Sequence, residues 1–375
     1  MKRIGIIGST GSIGRQALDV ISRNPDKFEV VFISCNGNLE LLKQQGAQCG
    51  ARYLCSTGLA GEGILSGECE ILKILDNEKI DMVLLAAVGA AGTVYAYETV
   101  KRGITLALAN KESIVASGRI LFDAAKRTGA KILPVDSEHS AIFQCLHGQD
   151  KRFLDKVTLT ASGGAFRNTP ADALEYVTLE QALRHPNWSM GSKITVDSAT
   201  MMNKGLELIE ARYLFDIEPS MLSVVIHPQS VVHSFVSFKD GSLIAQMGEP
   251  DMRTPIAYAM AYPERMESGV RPIDLAKVGS LTFFEPDMKK YPCLGIAVEV
   301  LKKDSNAPMI VMNAANEVAV AEFIGGQIEY RDIAGVISAV LDVCAPSEPE
   351  EIADVLSADA MAREASEKVI KRFYR

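Results

Sequence analysis

The chain opens on a strand, a glycine-spaced turn and a helix, and this opening constrains the fold more than any other stretch. Lys2 to Gly8 is a short β-rich run. Gly8-Ser9-Thr10-Gly11-Ser12-Ile13-Gly14 follows it, and Gln16 to Ser22 carries helical apolar spacing through Ala17, Val20 and Ile21. Glycine lets the backbone turn tightly and approach a pyrophosphate, while the helix start offers free N–H groups and a positive dipole end. The Gly-x-x-Gly-x-x-Gly spacing is a relative of the usual dinucleotide fingerprint and not identical to it; the plain alternative is an ordinary glycine-rich strand-to-helix turn. A second strand, Glu29 to Ser34, ends where such folds read the adenosine ribose. An acid at that point favours NAD and a base favours NADP. The chain has Cys35-Asn36-Gly37-Asn38 there, with neither, and Lys43 lies on the helix that follows. With no acid to repel a 2′-phosphate, the balance tips toward NADP.

The alternation continues. Asp81 to Val88 is nearly all apolar, as expected of a strand covered on both faces. Helical spacing runs from Ala91 to Arg102, and Ile104 to Leu108 is a strand that delivers Asn110-Lys111-Glu112. Ser113 to Arg127 reads as a helix, and Lys131 to Val135 is a strand that delivers Pro134-Val135-Asp136-Ser137-Glu138. The fold class expected is α/β. A Rossmann-like doubly wound parallel sheet spans 1–135, with the two charged triplets on the same rim as the glycine turn. A central α+β catalytic domain follows over 136–262, then a linker over 263–292 with scattered prolines, then a helical bundle over 293–375.

Asp136 and Glu138 are two apart, so an extended backbone projects both to one side. Two carboxylates aimed one way repel unless a cation or a shared proton sits between them. The bland reading is a strand-to-helix turn capped by Asp136 or Ser137. Further on, Ala161-Ser162-Gly163-Gly164 follows the β-type run Val157 to Thr160. It reads either as a nest of N–H groups plus a hydroxyl, suited to a phosphate, or as a plain turn. His185-Pro186-Asn187-Trp188-Ser189-Met190-Gly191 holds the only tryptophan, between a helical segment (Leu179 to Arg184) and an expected strand (Lys193 to Val196). It reads either as a lid that excludes water or as a loop pinned by Trp188.

Asp197 to Glu210 reads as one helix capped by Asp197 or Ser198. Asn203, Lys204 and Glu207 share one of its faces. That face is either a solvated ion pair or a functional one, on which Ser198, Asn203 and Lys204 hold a phosphate and Glu207 adds a third carboxylate to Asp136 and Glu138. Three hard oxygen ligands without cysteine favour Mg²⁺ or Mn²⁺ over zinc. Lys111 lies beside them as a substrate contact or a solvated charge. Val224 to His227, Val231 to Phe238 and Leu243 to Gln246 read as strands. Gly248-Glu249-Pro250-Asp251-Met252 is a loop opening a helix near Thr254. Helical spacing runs from about Cys293 to the end, in three or four helices.

Bulk properties exclude several classes. The net charge of −8 argues against a nucleic-acid or anionic-membrane footprint. Seven cysteines without a Cys-x-x-Cys pair fit a reducing cytosol rather than a disulfide framework or a zinc site. The early apolar run breaks at Gly8-Ser9-Thr10, too short for a signal peptide, and no stretch approaches the length of a membrane span.

Taken together, the glycine turn, Asn110-Lys111-Glu112-Ser113, Pro134-Val135-Asp136-Ser137-Glu138-His139, the His185–Gly191 loop, Asp197 to Glu207 and Gly248-Glu249-Pro250-Asp251-Met252 resemble the 1-deoxy-D-xylulose 5-phosphate reductoisomerase family over essentially the whole chain. The resemblance implies an NADP-dependent oxidoreductase of non-mevalonate isoprenoid synthesis. Such an enzyme isomerises and reduces a small phosphorylated sugar to 2-C-methyl-D-erythritol 4-phosphate with NADPH and a divalent metal (Mg²⁺ or Mn²⁺, with Co²⁺ also allowed), as a cytoplasmic homodimer. It implies that Thr10, Gly11, Ser12 and Ile13 contact the NADPH phosphates, with Gly37, Asn38, Asn110, Glu112 and Gly191 completing that site. Asp136, Glu138 and Glu207 hold the metal, and Ser162, Ser198, Asn203 and Lys204 bind the substrate phosphate. Ser137 and Lys111 contact the sugar oxygens, while His185, Trp188 and Met190 belong to a lid; Lys111, Glu138 and His185 are the catalytic candidates. Where the family usually has Gly-Lys/Arg-Asn, the chain has Asn36-Gly37-Asn38, so weakened discrimination between NADPH and NADH is expected. Two other classes remain: a sugar-phosphate or amino-acid-pathway dehydrogenase that needs no metal, and a non-catalytic nucleotide-binding regulator that needs no acidic trio.

Overall fold

The computed structural model describes residues 1–188 and 190–373. In chain order the first elements are β1 (Lys2–Ile7), α1 (Ser12–Arg23), β2 (Phe28–Cys35), α2 (Leu39–Cys49), β3 (Tyr53–Ser56), β4 (Leu65–Ser66), α3 (Glu68–Asn77), β5 (Met82–Leu85), α4 (Gly92–Lys101), β6 (Thr105–Leu108), α5 (Lys111–Thr128), β7 (Ile132–Pro134) and α6 (Ser137–Leu146). There follow β8 (Leu154–Ala161), α7 (Leu179–Ala182), α8 (Ser192–Ala199), α9 (Met202–Phe215), β9 (Leu222–Ile226), β10 (Val232–Phe238), β11 (Leu243–Met247) and α10 (Arg253–Ala261). The last are α11 (Leu275–Val278), α12 (Pro292–Lys302), α13 (Asn306–Ile324), α14 (Asp332–Val343) and α15 (Ile352–Phe373).

Two compact units divide the chain, each discontinuous in sequence. The first comprises Met1–Ser113, Leu121–Ser140 and Asp251–Arg271. Its seven strands pair in the order β4-β3-β2-β1-β5-β6-β7, all parallel. Strand order reverses at β1, so the carboxyl ends of β1 and β5 form the topological switch point where open α/β sheets bind ligands. All four residues of β5 are buried, as the continuous apolar run requires of a strand covered on both faces. The segment 251–271 returns to this unit through long-range contacts. Lys2 Nζ donates to the Met260 carbonyl at 2.6 Å, Asn24 Nδ2 to the Glu267 carbonyl at 2.8 Å, and Arg253 pairs with Asp19 on α1 at 3.1 Å.

The expected parallel sheet is present, with differences at its elements' ends. The outer strands β3 and β4 are additional to those read from sequence; both are short, and β4 is exposed. α5 begins at Lys111 rather than Ser113, because the Asn110 side chain accepts from Ser113 N–H at 2.9 Å and caps it. β7 ends at Pro134 and α6 starts at Ser137, so Asp136 and Glu138 do not share an extended strand. Asp136 Oδ1 instead accepts from the Glu138 N–H at 3.1 Å, which makes Asp136 the cap of α6.

The second unit comprises Ile114–Ile120, Ala141–Pro250 and Pro272–Arg375. Its sheet runs β11-β10-β8-β9, with β8 and β9 parallel and the other pairs antiparallel. Val157, Leu159 and Ala161 of β8 join a core that includes Leu206 and Ile209 of α9 and the apolar faces of α12 to α14. α13 is the one described helix long and apolar enough to cross a membrane, yet 67% of its apolar window is buried inside the protein, so it is a core helix here.

Two expectations fail in this unit. Lys193 to Val196 was expected as a strand from its β-branched residues and is helical, part of α8. Thr195 Oγ1 donates back to the Gly191 carbonyl at 2.8 Å and Val196 is fully buried, so packing overrides propensity. The single helix expected over Asp197 to Glu210 is broken into α8 and α9. Met201 caps α9 with φ +61°, a left-handed conformation uncommon outside glycine, and neither Asp197 nor Ser198 caps it.

Candidate active site

At the switch point, Gly8 has φ +88°, and its α-carbon lies so near β5's end that a Cβ would stand 2.8 Å from the Ala86 carbonyl. A Cβ on Gly14 would stand 2.4 Å from the Gly8 carbonyl oxygen. Only glycine permits either approach. Gly11 N–H donates to the Gly8 carbonyl at 3.2 Å, and the first bond of α1 is Arg15 N–H to the Gly11 carbonyl at 3.0 Å. The N–H groups of Ser12, Ile13 and Gly14 therefore precede the helical ladder, and no side chain among the described residues caps α1. This is the backbone arrangement that accepts a pyrophosphate. Thr10 is half-buried and Gly11 and Ser12 are exposed. At the end of β2, Asn36, Gly37 and Asn38 are exposed, and Asn38 Oδ1 caps α2 by accepting from Leu41 N–H at 3.1 Å.

Asn110 is buried at the end of β6. Its amide donates to the Ala87 and Gly89 carbonyls and to Glu112, each at 3.0 Å. Asn110 and Glu112 are thus joined to each other and to the strand end after β5. The next residue, Lys111, is 8% exposed and forms an ion pair with Asp136 Oδ2. The other oxygen of Asp136 meets His139 Nδ1 at 3.1 Å, and Ser137 Oγ donates to Glu138 Oε2 at 2.5 Å. His139 is fully buried behind Asp136. In the sequence it stands in the Pro134–His139 motif with no role of its own; its place three residues after Asp136, one helical turn on, is the signal that marks it.

In the second unit, Lys204 and Glu207 are buried and ion-paired, and Asn203 Nδ2 donates to Glu207 Oε1 at 2.7 Å. The buried Oδ1 of Asn203 meets no donor among the described residues. The shared face anticipated for Asn203, Lys204 and Glu207 is therefore an inward one, not a solvated decoration.

The Ser162 turn stands at the end of β8. Gly163 and Gly164 have φ +82° and +67°, and a Cβ on Gly164 would lie 2.4 Å from the Ser198 carbonyl oxygen. Ser162 and Ser198 thus belong to one packed piece. Ser162 Oγ accepts from Gly164 N–H at 3.1 Å and contacts His185 Nε2 at 3.0 Å. His185 Nδ1 accepts from the N–H groups of Asn187 (3.2 Å) and Trp188 (2.9 Å), so the ring proton sits on Nε2 and is donated to Ser162. Burial, with Arg167 adding a like charge, lowers the His185 pKa from 6.5 to about 4. Asn187 Nδ2 ties the same loop to the Pro228 carbonyl at 2.8 Å and to Ser230 Oγ at 2.7 Å. Trp188 and Met190 are half-buried, Gly191 caps α8, and Ser189 lies outside the described residues.

Asp136, Glu138 and Glu207 each present one carboxylate oxygen, and the three atoms lie within 4.8 Å of one another. Carboxylates so placed suit a divalent cation, and an all-oxygen set suits Mg²⁺ or Mn²⁺. The fit is supported by the donors around them: Lys111 on Asp136, Ser137 on Glu138, and Asn203 with Lys204 on Glu207.

A parallel sheet with a glycine turn at its switch point, together with an all-carboxylate cluster, defines a metal-assisted, dinucleotide-dependent oxidoreductase. Three family models agree on which one. Residues 4–118 match 1-deoxy-D-xylulose 5-phosphate reductoisomerase, 132–215 that family's C-terminal domain, and 247–365 a further C-terminal domain of DXP reductoisomerase. The reductoisomerase of Trichlorobacter lovleyi is 47% identical over 97% of this chain and 96% of its own length. That of Geobacter metallireducens is 46% identical over 99% of both. A crystal structure of DOX-P reductoisomerase in complex with NADPH, fosmidomycin and magnesium superimposes with a TM-score of 0.92 at 37% identity, covering 99% of this chain and 98% of that one. The Zymomonas mobilis enzyme in complex with NADPH gives 0.92 at 38% identity over 99% of both. The chain belongs to the 1-deoxy-D-xylulose 5-phosphate reductoisomerase family.

Proposed function

We propose that the protein isomerises and reduces 1-deoxy-D-xylulose 5-phosphate to 2-C-methyl-D-erythritol 4-phosphate with NADPH and a divalent metal, in non-mevalonate isoprenoid synthesis. The observation that carries this reading is the cluster of Asp136, Glu138 and Glu207 in a chain of this family. A relative crystallised with NADPH, fosmidomycin and magnesium supports both cofactors. Seven cysteines, all free, support a reducing cytoplasm, and the family resemblance supports a homodimer.

Asp136, Glu138 and Glu207 hold the metal. When bound, the metal supplies Lewis acidity toward the substrate's oxygens, and NADPH supplies the hydride. The chain's own residues do the rest. Lys111 places a buried ammonium beside Asp136, where it also reaches the sugar oxygens, with Ser137 as a second contact. Ser162 Oγ already accepts from Gly164 N–H and His185 Nε2–H, so its own proton is directed to a phosphate oxygen. Ser198, Asn203 and Lys204 complete that pocket, which binds remotely from the reacting carbons and so supplies energy for orientation. A neutral His185 neither repels nor titrates near pH 7. It serves as a fixed donor, with Trp188 and Met190 excluding water. The backbone of Thr10 to Ile13, with Gly37, Asn38, Asn110, Glu112 and Gly191, binds the dinucleotide.

The test is to mix the protein, NADPH, Mg²⁺ and 1-deoxyxylulose 5-phosphate and follow NADPH absorbance with and without EDTA. Loss of absorbance that EDTA abolishes is expected. EDTA-insensitive turnover would move the protein to the metal-free dehydrogenases.

A further inference from the structure

Three side chains of the C-terminal region reach the turn and the helix that carry Ser162 and Ser198, assigned above to the substrate phosphate, all within the second unit. Tyr291, which precedes α12, donates its hydroxyl to the Gly163 carbonyl at 3.1 Å. Tyr330, which precedes α14, donates to the Ala199 carbonyl at the end of α8 at 2.8 Å. Asn316, on α13, donates Nδ2 to Asp197 Oδ1 at 2.8 Å, while Lys193 closes on the other oxygen at 2.9 Å.

These residues are 1%, 8% and 0% exposed, respectively. Filling a core needs only the rings; a buried hydroxyl costs free energy unless it is bonded, so its partner carries meaning. Burial raises the Tyr291 pKa to about 12 and that of Tyr330 well above its ordinary value, which keeps both as neutral donors. The Tyr330 ring is held edge-on by Phe166 at 5.0 Å and Phe323 at 6.0 Å. What the hydroxyls hold is backbone that would otherwise be soft. Gly163 and Gly164 form a left-handed pair, which glycine adopts without strain and leaves as readily. The carbonyl of Ala199 lies at the break before Met201, itself left-handed.

We propose that Tyr291, Asn316 and Tyr330 are positioning residues for the phosphate pocket, fixing the Ser162 turn and the Ser198 end of α8 through backbone and through Asp197. The proposal rests on the assignment of Ser162, Ser198, Asn203 and Lys204 to the phosphate. It makes the helical bundle a functional part of the site as well as its support.

Tyr291→Phe and Tyr330→Phe, singly and together, are tested in the full-length protein with NADPH and Mg²⁺. Each keeps its ring. The readouts are the Kd for inorganic phosphate by calorimetry, KM and kcat for 1-deoxyxylulose 5-phosphate, and the Kd for NADPH. Each single change is expected to weaken phosphate binding roughly two- to tenfold, the value of one hydrogen bond. KM should rise in step, kcat should change less, and NADPH affinity should hold. An equal fall in NADPH affinity would mean general loosening and overturn the proposal. So would unchanged phosphate binding in the double variant while Lys204→Ala loses it. If Lys204→Ala also binds phosphate normally, the pocket assignment itself has failed.

Discussion

The two sheets differ in what they ask of side chains. In the seven-stranded parallel sheet, β5 is buried along its whole length, and the proposed dinucleotide turn is made of backbone: N–H groups at the start of α1 and glycines that no other residue can replace. In the four-stranded sheet, β11 has no fully buried residue, and the chemistry depends on charged side chains held by other side chains. A backbone site tolerates side-chain change outside its glycines. A side-chain site does not, because removing one partner leaves another buried and unpaired. Mutational sensitivity should therefore be concentrated in the second unit and at Asp136 to Glu138.

The largest effect is expected at Glu207. Glu207→Gln keeps the shape but removes a proposed metal ligand and leaves Lys204 with a neutral neighbour. We expect kcat to fall by about a hundredfold or more, since even changes around metal ligands cost up to about that much, with the thermal midpoint of unfolding showing a retained fold. Near-normal turnover would break the account. Next comes Lys204→Ala, expected to lower kcat/KM roughly ten- to hundredfold, the value of a charge-assisted contact. Steady-state kinetics that place the loss mainly in KM would confirm a remote binding contact.

His185 gives the second unit a pH dependence. Its folded pKa of about 4 lies below the ordinary 6.5 because burial disfavours the cation. Between these values the unfolded chain binds more protons than the folded one, so stability rises with pH. His185 thus penalises the fold progressively as pH falls from about 6.5 to 4 and contributes no such penalty above that window. An NMR titration of the His185 ring should show a neutral imidazole down to pH 5; a midpoint near 6.5 would contradict the buried Ser162 bond.

The smallest effect is expected at the dinucleotide end. Among the described residues a Cβ at position 37 would meet only Leu59, whose Cδ1 would lie 3.6 Å away, and no positive φ demands glycine there. Gly37→Lys should therefore fold normally and raise the NADPH-to-NADH ratio of kcat/KM a few-fold, the range of one exposed ion pair. No change in that ratio would show that discrimination lies elsewhere.

How much was readable beforehand follows the same division. The parallel sheet was legible because strands buried on both faces are continuous apolar runs, and the glycine turn because its spacing follows from backbone clashes at Gly8 and Gly14. The acidic residues were legible as chemistry but not as geometry. Asp136 caps α6, as the plainer of its two readings has it, and is also ion-paired with Lys111, a partner the sequence did not indicate. α8 was misread because Ile194, Thr195 and Val196 favour strands, and only the burial of Val196 against the core reverses that preference. The break at Met201 had no local signal, since a non-glycine left-handed residue is sustained by tertiary contacts. Tyr291, Asn316 and Tyr330 were invisible for the same reason: their partners lie about 120 to 130 residues away in sequence.

Metal binding itself decides whether the three carboxylates act as one site. Mn²⁺ is titrated into the full-length protein, and its affinity is compared with that of Asp136→Asn, Glu138→Gln and Glu207→Gln. The account predicts a single site weakened in all three variants alike, because each supplies one oxygen to the same ion. Wild-type affinity in any one of them would contradict it.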